Sequence, residues 1–259
     1  MNVSEMLAIF DKEVRRECEW TRMRRDVLPH LVRYVLTDVG HGGGFISWSH
    51  LTSDNADAAI REQMDYFKAL NTDFEWKLYS YDQPSDMAER LLAHGFVIDR
   101  PDALMVADIN DLPEEYWTMD VSDVQPVTTA EGVDEIVRME SEVWSEDVTG
   151  FARGMKHDLI HHPENLSVFA VWQGGRIVSA AWTHYLLNTS FASLWGGSTL
   201  VQYRKRGFYT KLVAVRAREA RQRGFRFLQV DASPESQPIL ARHGFRCLAY
   251  STPYEWKPD

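Results

Sequence analysis

Cysteine is scarce in this sequence. Cys18 and Cys247 are the only two among 259 residues, and they stand far apart in no metal-ligand spacing. The chain therefore has neither the cysteines of a disulfide framework nor those of a zinc ribbon. Such usage is typical of a reducing compartment, so we expect a cytoplasmic protein.

Long hydrophobic runs are also missing. Charged residues from Glu5 to Arg16 interrupt the N-terminal segment, and no later stretch approaches the ~18 consecutive apolar residues of a membrane span. We therefore expect no export signal and no membrane partner.

Basic charge is in deficit over the chain as a whole. The sequence has 28 Lys and Arg against 38 Asp and Glu, a net charge of −10, within a globular composition of 44% hydrophobic and 25% charged residues. Nucleic-acid binding needs a surplus of cations, so nucleic acid is not an expected partner. Positions 200–226 are the exception, since they carry nine Lys and Arg and one Glu. We call them the basic segment and expect an anionic ligand there.

The chain resembles itself at an offset of 149 residues. In both copies a helical stretch precedes a strand, a short helix and a glycine-ended turn. The segments that align without a gap are 77–82 with 226–231 and 93–96 with 242–245. The preceding helical stretches are 55–70 and 207–222. The repeat predicts two related halves in tandem.

The acidic, proline-containing segment 111–115 is the best candidate for the joint between the halves, so we predict domains at 1–115 and 116–259. The second half has the element order of an α+β fold with a mixed central sheet flanked by helices. Its predicted strands are 121–127, 166–172, 177–185, 191–201, 225–231 and 247–256. Its predicted helices are 132–143, 150–161, 207–222 and 236–243.

The strongest chemical signal lies in the basic segment, between a predicted strand and a predicted helix. Arg204, Lys205 and Arg206 precede Gly207, and the helix follows. The first N–H groups of a helix have no intrahelical acceptor and lie at the positive end of its dipole, so this loop can hold a pyrophosphate. Gly207 would let the backbone approach the ligand closely.

These residues resemble the GNAT superfamily of acyl-CoA-dependent N-acetyltransferases. Arg204, Gly207 and, imperfectly, Tyr209 match the Arg/Gln-x-x-Gly-x-Gly/Ala pyrophosphate loop, and positions 231–245 match the later strand–helix segment that ends in a Gly-Phe pair. The resemblance covers about 121–256. It implies a GNAT-like fold, acetyl-CoA or another acyl-CoA as cosubstrate, and no metal.

The resemblance also implies which residues hold CoA. The implied binding residues are Thr199, Leu200, Val201, Arg204, Lys205, Arg206, Gly207, Phe208, Tyr209, Thr210, Ser233 and Ser236. Backbone donors would come from Thr199, Leu200 and Val201. Ser236 stands where the family commonly has a small residue that touches the pantetheine, and Ser233 where it commonly has an Asn. Both serines could equally cap the short helix.

Two catalytic residues that are common in the family have no counterpart here. Leu240 stands where a general-acid Tyr is often found, and 191–201 contains no Glu to act as base. The candidate catalytic residues are Tyr209 as proton donor, Glu142 as base, and Ser236. A packing role is the alternative for Tyr209. Glu140, Asp147 and Asp158 are alternative bases, and a solvated acidic face is the alternative for all four carboxylates.

The first half lacks the loop. Positions 55–60 align with 204–209 but contain no glycine, no cation and one acid, Asp57. This degenerate half is therefore expected not to bind CoA. Its aromatic residues indicate a structural role, either in packing or as a wall of the acceptor groove.

Two further motifs point to other chemistry. His157 and His161 are four residues apart on a predicted helix and resemble a zinc-hydrolase pair, but the Glu base and the third ligand are missing. The glycine-rich segment 41–44 resembles an esterase oxyanion loop, but no Gly-x-Ser-x-Gly elbow accompanies it. A turn that leads into a strand accounts for 41–44 better.

We interpret the chain as an acyltransferase that moves an acetyl or short acyl group from acyl-CoA to a small-molecule or peptide amine by direct attack. Fixing the pyrophosphate and polarising the thioester would provide catalysis mainly by orientation. The acidity outside the basic segment favours a cationic amine. The alternative is a non-catalytic acyl-CoA sensor, because the usual Tyr and Glu are both missing. An oligomer is compatible with the sequence.

Overall fold

A computed structural model describes residues 1–37, 43–145 and 149–258 of the chain. The chain forms two compact units: unit 1 is Met1–Val106 with Asp231–Asp259, and unit 2 is Ala107–Val230. Among the helices of these described residues, none is long and apolar enough to cross a membrane.

Helices and strands alternate along most of the chain. The α-helices are α1 (Val3–Phe10), α2 (Ala56–Ala69), α3 (Met87–Ala93), α4 (Glu115–Thr118), α5 (Ala130–Trp144), α6 (Ala152–His161), α7 (Phe208–Gln222) and α8 (Gln237–Arg242). The strands are β1 (Met23–Val27), β2 (Leu31–Leu36), β3 (Gly44–Ser49), β4 (Phe74–Tyr79), β5 (Val97–Ile98), β6 (Asp102–Asp108), β7 (Val124–Pro126), β8 (Leu166–Gln173), β9 (Arg176–Tyr185), β10 (Phe191–Thr199), β11 (Phe227–Ala232) and β12 (Arg246–Trp256). Tighter or wider helical turns lie at Asp11–Glu17, Ile109–Asp111, Thr149–Phe151 and Val201–Tyr203.

Unit 1 is built on a mixed sheet. Its strands lie in the order β1-β2-β3-β4-β12-β6, with β5 beside β12, and the β3–β4 pair is parallel while the other pairs are antiparallel. Ile60 and Phe67 of α2 and Leu91 of α3 are buried against Phe74 and Trp76 of β4. These two helices therefore cover one face of the sheet with an apolar core.

Unit 2 repeats this plan. Its strands lie in the order β11-β10-β9-β8-β7, and β10–β11 is the parallel pair. The predicted hairpin is confirmed, since β8 and β9 join at Gly174 and Gly175, which both have positive φ. Val133 and Ile136 of α5 are buried with Val178 of β9. The predicted α+β class with mixed sheets flanked by helices is confirmed.

Local sequence explains where α5 begins and ends. The Thr129 hydroxyl accepts a hydrogen bond from the Gly132 N–H, which satisfies one of the free donors of the first turn. Apolar residues then recur every three or four positions and bury one face. The helix ends where Ser145 takes a left-handed conformation with φ of 58°.

The internal repeat corresponds to matching elements. The two predicted helical stretches are α2 and α7, the two strands are β4 and β11, and the two short helices are α3 and α8. The units, however, do not coincide with the predicted halves 1–115 and 116–259. β12 follows the second copy along the chain, yet it pairs with β4 and β6 in unit 1. Hydrogen bonding between distant strands decides this assignment, and strand propensity carries no information about it.

Candidate active site

The strand β10 carries an irregularity where its parallel partner stops. The β10–β11 ladder covers Phe191–Ser193 against Phe227–Gln229 only, while β10 continues to Thr199 beside β9. The register with β9 shifts between Gly196 and Ser198. Beyond Ser193 the edge of β10 that faced β11 has no strand partner among the described residues. Such an edge can pair its N–H and C=O groups with a ligand.

Two glycines form this bulge. Gly196 and Gly197 have φ of 67° and 90°, values that residues with a side chain rarely adopt. A Cβ at Gly196 would lie 2.4 Å from a ring atom of Trp182, and one at Gly197 would lie 2.9 Å from the ring of Tyr209. Glycine is therefore required at both positions, and Tyr209 packs directly on the bulge.

The loop between β10 and α7 presents the predicted anion site. α7 starts at Phe208 after Gly207, whose φ is 81°, and its first hydrogen bond runs from the Lys211 N–H to the Gly207 carbonyl at 3.0 Å. The N–H groups of Phe208, Tyr209 and Thr210 precede that bond, so they have no acceptor within the helix. A Cβ at Gly207 would meet nothing within 4 Å, so the approach to these donors is open.

The three loop cations are exposed around this helix end. Arg204 donates from Nε to the Thr199 carbonyl at 3.1 Å, and Arg206 donates from Nη2 to the Gln202 carbonyl at 3.2 Å. Within the described part of the chain, neither of these nor Lys205 forms an ion pair with a carboxylate. The loop thus combines free backbone donors with three uncompensated positive charges, a combination that favours a polyanion.

Leu200 does not fit its expected role as a backbone donor to CoA. Its side chain is buried, and its N–H donates to the Val178 carbonyl at 3.0 Å. The bond ties the end of β10 to β9, so this N–H is already used within the chain. Val201 is exposed in the following helical turn, and the Thr199 hydroxyl lies 2.8 Å from the Ser179 hydroxyl.

Other cations of the basic segment are engaged within unit 2. Helical spacing on α7 predicts that Lys211, Arg218 and Arg221 lie in solvent; Arg221 is exposed, but Lys211 and Arg218 are half-buried. Lys211 Nζ lies 2.9 Å from the carboxylate of Asp123, and Arg218 donates to the carbonyls of Tyr116 and Met119. For Lys211 and Arg218 the expectation is wrong because α4 and the segment after it pack on α7.

Of the candidate bases, Glu140 is buried and Glu142 is exposed. The Glu140 side chain lies on the face of α5 that packs on β9 and β10, and the residue is 3% exposed. Its Oε2 accepts a hydrogen bond from the Trp144 indole at 2.9 Å, whereas Oε1 is buried and accepts none from the described residues. Burial raises the pKa of Glu140, an effect that the nearby Ser198 and Trp144 side chains oppose.

Glu142 has different surroundings. Its carboxylate accepts a hydrogen bond from Arg176 Nη2 at 2.6 Å on the exposed side of α5. The hydrogen bond from Arg176 lowers the pKa of Glu142. A carboxylate that is held ionised by a partner is a weaker proton acceptor than one whose pKa is raised. These surroundings favour Glu140 over Glu142 as the base.

The remaining predicted bases differ in what the structure shows. Asp158 is buried on α6, and its carboxylate lies 3.2 Å from His157 Nδ1. Asp147 lies outside the described residues, as does the first part of segment 41–44. His157 and His161 contact each other with ring centroids 4.6 Å apart. Among the described residues, no group of three His, Cys, Asp or Glu side chains could hold a metal ion.

Tyr209 is half-buried at the start of α7. Burial raises the pKa of its phenol, and the positive charge of Arg216 acts in the opposite direction. Leu240, at the place of the general-acid Tyr that is common in the family, is completely buried and carries no proton donor. Tyr209 is thus the phenol that the structure places beside the β10 bulge.

Ser233 and Ser236 lie in unit 1 and contact each other before α8. The Ser236 N–H donates to Ser233 Oγ at 3.3 Å, and Ser236 Oγ donates to the Ser233 carbonyl at 3.2 Å. These bonds are typical of a serine turn at a helix start, which is the capping alternative. Both hydroxyls thus have partners within their own turn.

In unit 1 the parallel strands β3 and β4 also separate beyond a short ladder, but a side chain fills the space between them. The β3–β4 ladder covers only Phe45 and Ile46 against Glu75 and Trp76. Beyond it, Arg15 donates from Nε to the Ser47 carbonyl on β3 at 2.8 Å and lies 4.1 Å from the ring of Tyr79 on β4. The Asp82 carboxylate completes the ion pair at 2.8 Å. The sequence contained no motif for this contact.

Arg216 is a side chain of this region that the sequence motifs did not indicate as functional. It is four residues after Leu212 on α7 and is buried as Leu212 is. Glu140, an alternative base in the sequence analysis, continues the stripe of Val133, Ile136 and Val137 at helical spacing, so its place on the buried face was readable from the pattern. A charged residue in an apolar stripe is the signal that could have identified Arg216 and favoured Glu140 over Glu142.

Comparison with known proteins is informative at the level of structure. No protein-family model matches the chain, and no curated protein matches its sequence. A GCN5-related N-acetyltransferase from Kribbella flavida is similar with a TM-score of 0.64 and 17% identity, over 99% of this chain and 94% of that one. A GCN5-related N-acetyltransferase-like protein from Streptococcus suis has a TM-score of 0.58 and 16% identity, over 98% of each chain.

A tandem GNAT protein from the clavulanic acid biosynthesis pathway is also similar, with a TM-score of 0.57 and 10% identity over 89% of this chain and 80% of that one. These matches extend over nearly the whole chain and thus include both copies of the repeat. At such identities they establish the fold. The chain therefore has the fold of the GCN5-related N-acetyltransferases.

Proposed function

We propose that the protein transfers an acetyl or other short acyl group from acyl-CoA to an amine. The observation that carries the proposal is the loop before α7. There the helix N–H groups without an intrahelical acceptor and an open approach at Gly207 lie together with three cations that form no ion pair with a described carboxylate. The pyrophosphate of CoA is an anion of the kind that such a helix end binds. The glycine bulge of β10 directly precedes this loop.

The thioester of bound acyl-CoA lies at the glycine bulge, next to the pyrophosphate site. The pantetheine arm runs along the edge of β10 that has no described strand partner beyond Ser193, and it pairs with the backbone groups of that edge. An N–H of this edge polarises the thioester carbonyl and stabilises the oxyanion that forms on attack. Leu200 does not take part, because its N–H is bonded to Val178.

Glu140 is the proton acceptor of the reaction, and Tyr209 is the proton donor. The nitrogen of a neutral amine forms a bond to the acyl carbon, and the carbon–sulfur bond breaks. Glu140 accepts the proton that the nitrogen loses, since its buried carboxylate has a raised pKa and a free Oε1. Tyr209 donates a proton to the departing thiolate, and both groups then exchange their protons with water. Ser236 has no step in this scheme.

The acceptor is a small-molecule or peptide amine, and a cationic one is favoured. Outside the basic segment the chain has a large excess of Asp and Glu, which raises the local concentration of cations by long-range attraction. A cation reaches the site as an ammonium ion and gives up its first proton to solvent before it attacks.

Calorimetric titration with acetyl-CoA tests the proposal. We expect one site per chain in the unaltered protein and no binding to Gly207→Glu, because the new carboxylate would occupy the anion site. The matched control is Gly224→Glu at the other end of α7, since Gly224 has a similar φ of 84° and equally open surroundings. It should bind acetyl-CoA as the unaltered protein does.

Two results would contradict the proposal. Absence of binding to the unaltered protein would show that the loop does not hold CoA, and equal affinity in Gly207→Glu would show that CoA binds elsewhere. Binding without thiol release in a broad amine screen would instead favour the non-catalytic acyl-CoA sensor. The replacement of the usual Tyr by Leu240 is the observation behind that second candidate.

A further inference from the structure

Arg216 is a buried cation for which the described residues provide no acidic partner. It lies on α7, is 2% exposed, and forms no ion pair with a carboxylate in the ranges that the structure describes. Its Nε donates to the Leu212 carbonyl at 2.9 Å. Its Nη1 donates to the carbonyls of Trp182 on β9 and Trp195 on β10, at 3.3 and 3.2 Å.

A buried charge at this position is unfavourable in itself. The three carbonyls that Arg216 contacts belong to regular elements, since Trp182 and Trp195 are opposite each other in the β9–β10 register and Leu212 lies within α7. Taking a guanidinium out of water is unfavourable, and here burial lowers the pKa of Arg216 to about 10. An apolar side chain of similar length would fill the space without that penalty.

The position of Arg216 connects it to the proposed site. It follows Tyr209 by seven residues, which places both side chains on one face of α7 about two turns apart. Long side chains on a helix lean toward its N-terminus, and the bond from Nε to Leu212 shows that Arg216 does so, toward Tyr209. Trp195, whose carbonyl it holds, immediately precedes the bulge on which Tyr209 packs.

We propose that Arg216 is a positioning residue of the transfer site: it anchors β10 directly before the glycine bulge and keeps a buried positive charge beside the Tyr209 phenol. The inference rests on the proposed function, in which Tyr209 protonates the thiolate. It explains why a charge is buried that forms no ion pair with a described carboxylate.

The charge matters because the proton transfer is unfavourable without it. A thiol has a pKa of about 8.5 and a phenol about 10, so a phenol donates to a thiolate against the gradient. Burial raises the pKa of Tyr209 further above that of a thiol. The positive charge of Arg216 lowers the pKa of Tyr209 by stabilising the phenolate that remains. The other titratable groups that face Arg216 are Tyr116 and Tyr185, and burial raises the pKa of both. Both are therefore neutral at physiological pH and do not compensate the guanidinium.

The test compares Arg216→Met with Arg216→Lys. Nuclear magnetic resonance of protein labelled at tyrosine Cζ, with the Tyr209 signal assigned by Tyr209→Phe, measures the ionisation of that phenol without any substrate. We expect the Tyr209 signal to titrate at higher pH in Arg216→Met, and near its original pH in Arg216→Lys.

In the transfer assay, kcat of Arg216→Met should fall by about tenfold or more, while the Kd for acetyl-CoA stays within about twofold. Arg216→Lys should recover most of the rate. An unchanged Tyr209 titration in Arg216→Met would overturn the inference, as would a lowered melting temperature with an unchanged titration, since Arg216 would then serve packing alone. The spectroscopic result stands even if no amine is acetylated, so failure of the inference is distinguishable from failure of the proposed function.

Discussion

Two carboxylates on α5, two residues apart, have opposite surroundings. Glu140 is buried against β9 and β10, while Glu142 is exposed and bonded to Arg176. Residues two positions apart on a helix are rotated by about 200°, so one of them must face the core when the other faces solvent. The resulting difference in hydration separates the pKa values of two chemically identical groups.

Glu140→Gln should lower kcat by about 100-fold or more with little change in the Kd for acetyl-CoA, because a general base is lost while the loop is intact. Burial raises the pKa of Glu140, so the carboxyl contributes most to stability below its unfolded pKa, and that contribution is lost as pH rises through the folded pKa. Glu140→Gln should therefore melt at a higher temperature than the unaltered protein at pH 8, and the difference should shrink toward pH 4.

Glu142→Gln is the comparison for this experiment. If Glu140 is the base, Glu142→Gln keeps kcat within about twofold, since it removes an exposed ion pair. A large loss in Glu142→Gln together with an active Glu140→Gln would reverse the assignment and support the prediction made from sequence. A melting difference for Glu140→Gln that stays constant between pH 4 and pH 8 would contradict the raised pKa.

At the scale of elements, β10 combines a regular strand with a glycine bulge. Its first residues pair with both β9 and β11, and its last residues pair with β9 alone. The sequence predicts the strand from its β-branched and aromatic residues, together with the helix that follows. The bulge is less predictable, because two glycines in a strand indicate a special conformation without telling which side chains pack on it.

Gly197→Ala should lower the melting temperature and weaken acetyl-CoA binding. Its Cβ would combine an unfavourable positive φ with a contact of 2.9 Å to the Tyr209 ring, so the ring must move from the bulge. Gly175→Ala in the β8–β9 hairpin is the matched control, because φ is 80° and a Cβ would meet nothing within 4 Å. It should destabilise by roughly 1 kcal/mol and leave the Kd unchanged. Equal effects of the two variants on the Kd would show that Tyr209 packing does not matter for binding.

At the scale of the whole molecule, the two copies of one fold have diverged at the same place. In unit 2 the end of the β10–β11 ladder lies next to an open, basic helix start, whereas in unit 1 Arg15 fills the corresponding divergence of β3 and β4. The start of α2 adds Asp57 where unit 2 has cations. One binding site per chain is therefore expected from both charge and packing.

Asp82→Asn should destabilise the protein by about 3 kcal/mol, since it leaves the buried guanidinium of Arg15 without its main partner. The control is Asp57→Asn, whose carboxylate is 42% exposed and whose ion pairs are screened by solvent, so this variant should be only slightly destabilised. Chemical denaturation measures both. The acetyl-CoA stoichiometry should stay at one per chain in each variant, and a second site in Asp82→Asn would show that the ion pair between Arg15 and Asp82 is what blocks unit 1.

The amino-acid sequence by itself determined the elements and the chemistry of the loop. The repeat, the helices α2 and α7, the β8–β9 hairpin and the cations before Gly207 all follow from local backbone preference, apolar periodicity and residues that are adjacent in the chain. These properties depend on residues close together in the chain, so they can be predicted from the sequence.

Only the tertiary structure decided which distant groups meet. It attached β12 to β4, brought Arg176 to Glu142, bonded Arg216 to the Trp195 carbonyl before the bulge, and filled the divergence in unit 1 with Arg15. Strand pairing, desolvation and the neutralisation of buried charge depend on residues far apart in sequence. These interactions form only when the chain has packed, so the local sequence pattern does not predict them.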